Sequence, residues 1–177
     1  MSVTIRLLEE RDVARIASAF REIGWSTKPA ALYQRYLSEQ GGGHRTVLVA
    51  VEGNVFVGYV TILWQSGYPP FQEGAIPELV DFNVLPRFRR RGTGGLLMDE
   101  AERRIAERSP LAGIGVGMDP DYGAAQRLYV NRGYVPDGRG LWQGSQYVTY
   151  GDNVTVDDDL ALMFTKRLNH HRELGKS

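Results

Sequence analysis

One stretch of the chain joins a strand, a tight turn and a helix in that order, and this arrangement limits the fold strongly. Residues 78–84 (ELVDFNV) have the composition of a strand, and residues 89–95 (RRRGTGG) are rich in arginine and glycine. Helical periodicity begins directly after them. The apolar positions with this spacing are Leu96, Leu97, Ala101 and Ile105. The stretch therefore predicts a strand that leads through a glycine-rich turn into an amphipathic helix.

The arginines at 89–91 stand at the end of this helix where positive charge is unfavourable. A helix dipole favours anions at its N-terminus by about 0.3–1 kcal/mol. Gly92, Gly94 and Gly95 remove side chains from the first turn, so a ligand can approach the N–H groups that have no intrahelical partner. A bound multivalent anion would satisfy both the arginines and these N–H groups. The alternative is that solvated arginines simply precede a tight glycine turn.

Two well-known phosphate-binding loops do not match this stretch. The P-loop requires Gly-Lys-Ser/Thr, and no lysine lies near the turn. The dinucleotide fingerprint G-x-G-x-x-G fails because Leu97 stands where the third glycine would be. If the turn is an anion site, it is therefore of a different kind from these two.

Composition narrows the function classes. The 177 residues are enough for one domain, and 42% of them are hydrophobic, which suffices for a core. Because 21 Lys and Arg balance 21 Asp and Glu, we expect neither a nucleic-acid nor a membrane partner. Cysteine is absent, and His44, His170 and His171 lack metal-ligand spacing, so no metal site is expected. No stretch resembles a signal peptide or a membrane span, which favours a cytoplasmic protein.

The rest of the chain alternates strands and helices. Strands are predicted at 3–8, 46–51, 55–63, 78–84, 111–118 and 160–168, with an extended segment containing a loop or hairpin at 134–156. Helices are predicted at 9–23, from Pro29 to the glycines at 41–43, after the arginine turn, and at 122–131. A loop rich in aromatic residues and proline fills 64–77. This order predicts an α/β fold with a single mixed sheet flanked by helices over residues 1–168, followed by a polar tail at 169–177.

Three motifs together resemble the GCN5-related N-acetyltransferases (the GNAT family). The turn matches the family pattern Arg/Gln-x-x-Gly-x-Gly, and Val84-Leu85-Pro86 stands before it at the family's usual spacing. Downstream, Ala125, Leu128, Tyr129, Gly133 and Tyr134 match the segment Ala-x-x-Leu-Tyr-x-x-x-Gly-Phe. The resemblance runs from the first strand to about residue 168 and is strongest over 78–135. One departure is Tyr122, where the family often has an asparagine that contacts the cofactor.

The resemblance implies a single-domain fold with a splayed central strand pair and acetyl-CoA as co-substrate. The pantetheine arm would pair with the strand through Phe82 and Val84, and the Val84 N–H would polarise the thioester. The pyrophosphate would bind to the turn, which comprises Arg89, Arg90, Arg91, Gly92, Thr93, Gly94 and Gly95.

Tyr129 is the predicted general acid that protonates the departing thiolate. Without the motif, a packed aromatic residue would be the first interpretation of this position. The base is predicted to be Asp81, which stands where some polyamine-acetylating members have an acid that meets the substrate amine. Glu78 or a chain of water molecules is an alternative, and Asp81 could instead cap a loop or pair with an arginine.

The acceptor is predicted to be a small cationic amine, similar to a polyamine or an aminoglycoside. Its pocket would be built from Trp25, Trp64, Tyr68 and Phe71. The acidic run Asp157-Asp158-Asp159 could attract a cation or be a solvated loop. Alternatives are acetylation of a protein N-terminus or lysine, and a non-catalytic acyl-CoA sensor of the same fold. A homodimer is compatible with the resemblance.

Overall fold

The computed structural model describes residues 2–169, which contain five α-helices and eight strands. The helices are α1 (Glu10–Glu22), α2 (Ala30–Gly41), α3 (Pro69–Glu73), α4 (Thr93–Ala106) and α5 (Gly123–Asn131). The strands are β1 (Val3–Leu7), β2 (Arg45–Glu52), β3 (Val55–Leu63), β4 (Glu78–Val84), β5 (Leu111–Gly117), β6 (Val135–Gln143), β7 (Gln146–Tyr147) and β8 (Ala161–Arg167). Residues 170–177, which include His170, His171 and most of the predicted tail, lie outside the described residues.

Most predicted elements are confirmed to within one or two residues, and one differs. The segment 64–77, predicted as a loop, contains the short helix α3. Pro69 and Pro70 occupy its first turn, where a helix needs no N–H donor and where the fixed φ of proline is already helical. The sequence predicts either a loop or a hairpin within the extended segment 134–156. The structure has a hairpin there, formed by β6 and β7.

The internal contacts of the chain divide it into two compact units. The first unit contains the residues up to Gln65 together with Leu79–Arg104. The second unit contains Ser66–Glu78 and the described residues from Ile105 onward.

The first unit has β1, β2 and β3 in antiparallel order, followed by β4. The β2–β3 hairpin turns at Glu52-Gly53-Asn54, with Gly53 in the left-handed region at φ 60°. Both strands are long apolar runs that are mostly buried, and their side chains share one core cluster with those of α1 and α2.

Helices α1 and α2 supply the aromatic core of the first unit. Val13, Ile16 and Phe20, which recur at helical spacing along α1, are all buried, and so is Tyr33 of α2. The ring of Tyr33 meets Tyr59 of β3 edge to face, with centroids 5.6 Å apart. Ile23, the last residue of the predicted helix 9–23, caps the C-terminus of α1 and is 38% exposed.

Helix α4 buries a slightly different set of side chains from the predicted one. Leu97, Ala101 and Ile105 are fully buried as predicted, and Met98 joins them. Leu96 is 45% exposed, so its assignment to the apolar face is wrong. Because successive residues turn by about 100° around a helix, Met98 continues the face that Ala101 and Ile105 form, and Leu96 does not.

Strands β3 and β4 approach each other very closely at Gly58. A Cβ on Gly58 would lie 2.5 Å from the carbonyl oxygen of Asn83 and 3.0 Å from the Cα of Val84. The backbone N–H of Leu85 then donates to the carbonyl of Val57 at 2.9 Å. Gly58 is therefore required by space, and it sets the position of the end of β4.

The second unit is built on antiparallel pairs of β5 with β8 and of β8 with β6. Pairing runs without interruption from Leu111 opposite Arg167 to Gly117 opposite Ala161. The β6–β8 pairing shifts between Pro136 and Leu141, where Gly138 and Gly140 both have positive φ. Strand β6 therefore loops out from its partner over this short segment.

A buried ion pair joins β1 to α1. The guanidinium of Arg6 donates to both carboxylate oxygens of Asp12, at 2.6 and 2.8 Å, and the backbone N–H of Glu9 donates at 2.9 Å. Burial alone would raise the pKa of Asp12, which is 3% exposed, but these hydrogen bonds outweigh burial and lower it. The pair fixes the start of α1, the helix that carries Phe20.

We expect Gly58→Ala to destabilise the protein by about 1–3 kcal/mol, because the obstacle to the new methyl group is backbone rather than a flexible side chain. The measurement is the free energy of unfolding in urea. Gly41→Ala is the matched control, since a Cβ there meets nothing within 4 Å; it should be neutral or stabilise by up to about 1 kcal/mol. Equal effects of the two substitutions would contradict the close approach of β3 and β4.

We expect Asp12→Asn to lower the free energy of unfolding at pH 7 by about 1.5–3 kcal/mol, the range for hydrogen bonds to charged groups. Because the pKa of Asp12 is lowered in the folded protein, this stabilisation is present above the pKa of an unfolded aspartate, about 3.9. It is lost as the pH falls through the folded value. The gap between wild type and variant should therefore stay constant from pH 8 to 5 and narrow below about pH 4. Asp121→Asn, at an exposed position, is the control and should show no such gap.

Candidate active site

The arginine-glycine turn stands directly before the 14-residue helix α4, as predicted. Two of its residues have left-handed backbones, Arg90 at φ 61° and Gly92 at φ 82°. The helix has no acidic residue in its first turn, and its first hydrogen bond runs from the Leu96 N–H to the Gly92 carbonyl at 3.1 Å. The first-turn N–H groups of an α-helix have no intrahelical acceptor, so this turn offers them to a ligand.

The space above the turn is open. A Cβ built on Gly92 or Gly95 meets nothing within 4 Å, whereas the side chains of Arg89, Arg90 and Arg91 are exposed beside it. Open space, backbone donors and three cations at a helix N-terminus suit a multivalent anion such as a pyrophosphate.

Arg89 connects this turn to the end of β4. Its Nε donates to the carbonyl of Val84 at 3.0 Å. Val84 is half-buried, as is Phe82, and it lies against Gly58 of β3. The structure therefore brings Val84 and the turn together in the first unit, as the sequence predicts for two parts of one cofactor site.

Asp81 lies in the middle of β4 and is surrounded by donors. Its backbone has φ 51°, which is unusual for a residue other than glycine and interrupts the regular pleat predicted for this strand. The Oδ1 atom accepts from Lys28 Nζ at 2.5 Å and from Asn83 Nδ2 at 2.8 Å. The Oδ2 atom accepts from the hydroxyls of Tyr59 at 2.5 Å and Tyr36 at 2.9 Å. Asp81 does pair with a cation, but the cation is a lysine and not the arginine considered above.

Lys28, Tyr36 and Tyr59 are residues of this cluster that sequence reasoning missed. They come from the connection between α1 and α2, from α2 and from β3, so no local pattern links them to Asp81. One weak signal exists: the chain has 18 arginines and only three lysines. A compact ammonium in place of the usual guanidinium is what a small pocket requires.

The two tyrosines stay protonated and act as donors. Burial, followed by the negative charge of Asp81, raises the pKa of both Tyr36 and Tyr59 above the ordinary tyrosine value. Their hydroxyls therefore hold the carboxylate in place throughout the neutral pH range.

Tyr129, the predicted general acid, lies on α5 in the second unit. Its side chain is 5% exposed, and its ring meets Tyr134 with centroids 6.0 Å apart. Burial raises the pKa of Tyr129, and the neighbouring Tyr122 raises it further. The hydroxyl is thus protonated at neutral pH, which suits a proton donor.

Tyr122 stands at the position where the family often has asparagine. Its ring packs on β5, because a Cβ on Gly117 would come within 2.5 Å of it. Its hydroxyl donates to Asp158 at 3.1 Å. Gln126, one helical turn further on, donates to the Gly117 carbonyl at 2.8 Å. The aromatic ring and its hydroxyl therefore replace the expected amide side chain.

The acidic run is an exposed turn with its own hydrogen bonds. Asp157 accepts from Gln143 Nε2 at 2.9 Å and from the N–H groups of Asp159 and Leu160. The Gln143 hydrogen bond in particular lowers the pKa of Asp157. The carboxylate of Asp157 caps the turn before β8, which favours the interpretation of this run as a solvated loop.

Glu78, the alternative base, begins β4 and is half-buried. Its Oε2 accepts from the Ser66 hydroxyl at 2.5 Å, and Ser66 Oγ in turn accepts from the Tyr68 N–H at 3.0 Å. Glu78 is thus tied to the segment before α3.

The four aromatic residues predicted to line the acceptor pocket fall in both units. In the first unit, Trp25 stacks on Phe20 with centroids 5.5 Å apart, and Trp64 Nε1 donates to Thr46 at 3.0 Å. In the second unit, Phe71 packs over Gly113, where a Cβ would overlap its ring. Both Phe71 and Tyr68 are buried in the core of this unit, and their place in an acceptor pocket stays a prediction.

Residues 2–169 contain no group of three or more His, Asp or Glu side chains arranged to hold a metal ion. Within the same residues, no helix is both long and apolar enough to cross a membrane.

The sequence profile of the Acetyltransferase (GNAT) family matches residues 11–134. The chain belongs to this family, whose members are acyltransferases that use acetyl-CoA as co-substrate. The α/β fold class is confirmed as well. No curated protein matches the sequence.

Solved structures share the fold over nearly the whole chain. YncA, a putative acetyltransferase from Salmonella typhimurium with its cofactor acetyl-CoA, has a TM-score of 0.68 at 18% identity, covering 97% of both chains. A spermidine N-acetyltransferase chimera of Vibrio cholerae SpeG and hSSAT has a TM-score of 0.68 at 14% identity, covering 94% of this chain and 96% of its own. NAA60 from Arabidopsis thaliana, in complex with a bisubstrate analogue, has a TM-score of 0.66 at 17% identity, covering 96% and 99%. At these identities the likeness shows the fold alone.

Proposed function

We propose that the protein transfers the acetyl group of acetyl-CoA to the primary amine of a small molecule. The observation that carries this proposal is the open arginine-glycine turn before α4, joined through Arg89 to the end of β4. Acetyl-CoA supplies an activated thioester carbonyl. In the reaction the amine nitrogen forms a bond to this carbonyl carbon, the carbon–sulfur bond breaks, and one proton passes from the amine to the sulfur.

The residues of the turn would hold the pyrophosphate. The N–H groups of Thr93, Gly94 and Gly95 are directed along the axis of α4 toward the space that the glycines leave open. The exposed arginines 89–91 add positive charge, which would form charge-assisted hydrogen bonds with a bound anion. At the end of β4, the close contact with Gly58 fixes Val84, whose N–H would polarise the thioester.

Proton transfer would involve Tyr129 as the acid. Its hydroxyl is protonated at neutral pH and so carries a proton that can pass to the departing thiolate. Asp81 is less suited to the role of base than the resemblance implies, because both of its oxygens already accept two hydrogen bonds. We therefore assign removal of the amine proton to water or to Glu78, and we assign to Asp81 the positioning of Lys28 and the two tyrosines.

The acceptor is tested by measuring thiol release from acetyl-CoA with a panel of small primary amines and with peptides that offer a free N-terminus or a lysine. Turnover of small amines alone supports the proposal, whereas preference for peptides would transfer the function to protein acetylation. Cytoplasmic location and homodimer formation stay predictions from the sequence.

Acetyl-CoA should raise the melting temperature of the purified protein, because a ligand that binds only the folded state stabilises it. At a hundredfold excess over Kd the gain is about 2.7 kcal/mol. Gly94→Val should abolish the shift, since a branched side chain in the first turn of α4 obstructs the approach to its N–H groups. Gly123→Val, in the first turn of α5 where a Cβ meets nothing within 4 Å, is the control and should retain it. Absence of a shift at millimolar acetyl-CoA would exclude this site.

Tyr129→Phe should lower kcat by about 10²–10⁴-fold and leave the Kd for acetyl-CoA nearly unchanged, because only the proton-donating hydroxyl is removed. Tyr134→Phe is the matched control: this residue is buried and its ring touches that of Tyr129. It should change kcat little. Equal rates of Tyr129→Phe and wild type would assign the proton transfer to another group, and a loss of folding would assign Tyr129 to the core.

A further inference from the structure

We propose that Lys28 determines the acceptor class of this enzyme. Its ammonium fills the cation site at Asp81 from within the chain, so the enzyme takes amines that carry no second cationic group and does not select polyamines. The inference rests on the proposed function, because Asp81 lies on the same strand as Val84, whose N–H would polarise the thioester, and we take the Asp81 cluster as the acceptor end of that site.

The surroundings of the Lys28 ammonium form a site that suits a primary ammonium ion. Nζ donates to Asp81 at 2.5 Å and to the Tyr59 hydroxyl at 3.0 Å. It also lies 5.6 Å from the ring centroids of Phe20 and of Tyr59. A carboxylate combined with aromatic faces is the arrangement by which proteins bind ammonium ligands. Here the bound ammonium belongs to the protein.

The carboxylate has no capacity for a second ammonium ion. A carboxylate offers about four lone-pair sites, and Asp81 accepts four hydrogen bonds, two on each oxygen. The side chains of Lys28 and Asp81 are only 15% and 18% exposed. A cationic acceptor would therefore have to displace Lys28 and would leave that ammonium partly buried without its counter-ion, which is costly.

The charged side chains packed around the cluster are two arginines and one glutamate, so they carry no net negative charge. The guanidinium of Arg45 lies 4.2 Å from the ring of Tyr36 and donates to Glu39 at 2.5 Å. Arg35 lies 5.7 Å from the same ring and 3.5 Å from Glu39. No surplus negative charge is therefore left among these residues to attract a second cationic group of the acceptor.

The first experiment tests the cation site without relying on catalysis. Lys28→Ala should lower the melting temperature, because Asp81 loses its counter-ion and a cavity remains beside Phe20 and Tyr59. Methylammonium chloride should restore about 2–4 °C once it exceeds its Kd severalfold. Sodium chloride and tetramethylammonium chloride at equal concentration should not. Wild type, and the double variant Lys28→Ala with Asp81→Asn, should show no specific gain.

Lys28→Met, which keeps most of the aliphatic stem, replaces Lys28→Ala if the alanine variant does not fold, and its rescue is judged in the same way. Absence of specific rescue in the variant that folds would overturn the proposal. A specific gain with methylammonium in wild type would overturn it too, since the site would then be accessible with Lys28 present.

The second experiment tests acceptor choice. With butylamine and 1,4-diaminobutane as acceptors, wild type should show no preference for the diamine. Lys28→Ala should raise the kcat/KM ratio of diamine to monoamine at least about tenfold, whereas Lys166→Ala, which removes a lysine of the second unit, should keep the wild-type ratio. A wild-type preference for the diamine, or an unchanged ratio in Lys28→Ala, would contradict the proposal. If no amine is acetylated by any variant, the proposed function fails, and the methylammonium result still decides whether Lys28 occupies a cation site.

Discussion

The interior of the first unit is organised around the carboxylate of Asp81. Its four donors come from the α1–α2 connection, α2, β3 and β4 itself. A partly buried charge without these partners would be strongly destabilising, and so would any one partner left alone. The cluster therefore fixes the mutual positions of four chain segments, and it holds Asp81 in a left-handed backbone conformation that an aspartate adopts only at some cost.

Strand β4 also connects Asp81 to the turn before α4. The close approach at Gly58 fixes Asn83 and Val84, and Arg89 then ties the Val84 carbonyl to the turn before α4. This arrangement explains why arginines stand at the N-terminus of α4, where the helix dipole disfavours positive charge. The fold gives up a small amount of helix-dipole energy, about 0.3–1 kcal/mol per charge. It gains a turn with open backbone donors and positive charge, at which we propose that the phosphates of acetyl-CoA bind.

In the second unit, glycines let large side chains lie directly on the sheet. Gly113 accommodates Phe71, and Gly117 accommodates Tyr122. The second of these contacts matters for chemistry, because Tyr122 stands close enough to raise the pKa of Tyr129 while its own hydroxyl donates to Asp158. Tyr122, which departs from the family pattern, thus influences Tyr129, which matches that pattern.

The sequence by itself determined the elements whose causes are local. Apolar periodicity placed α1, α2 and the strands, glycine and proline marked the turns, and the motifs at 89–94 and 125–134 identified the family before any coordinates were known. It did not determine α3, whose five residues are too few for a period to be visible, nor which of Leu96 and Met98 is buried. It also could not show what holds Asp81. Lys28, Tyr36 and Tyr59 are distant from it along the chain, and a hydrogen bond or ion pair between such residues leaves no spacing to detect. Only the tertiary structure brings these donors together. It shows that Asp81, which the sequence suggests as a partner for a cationic substrate, already forms an ion pair with Lys28 of the same chain.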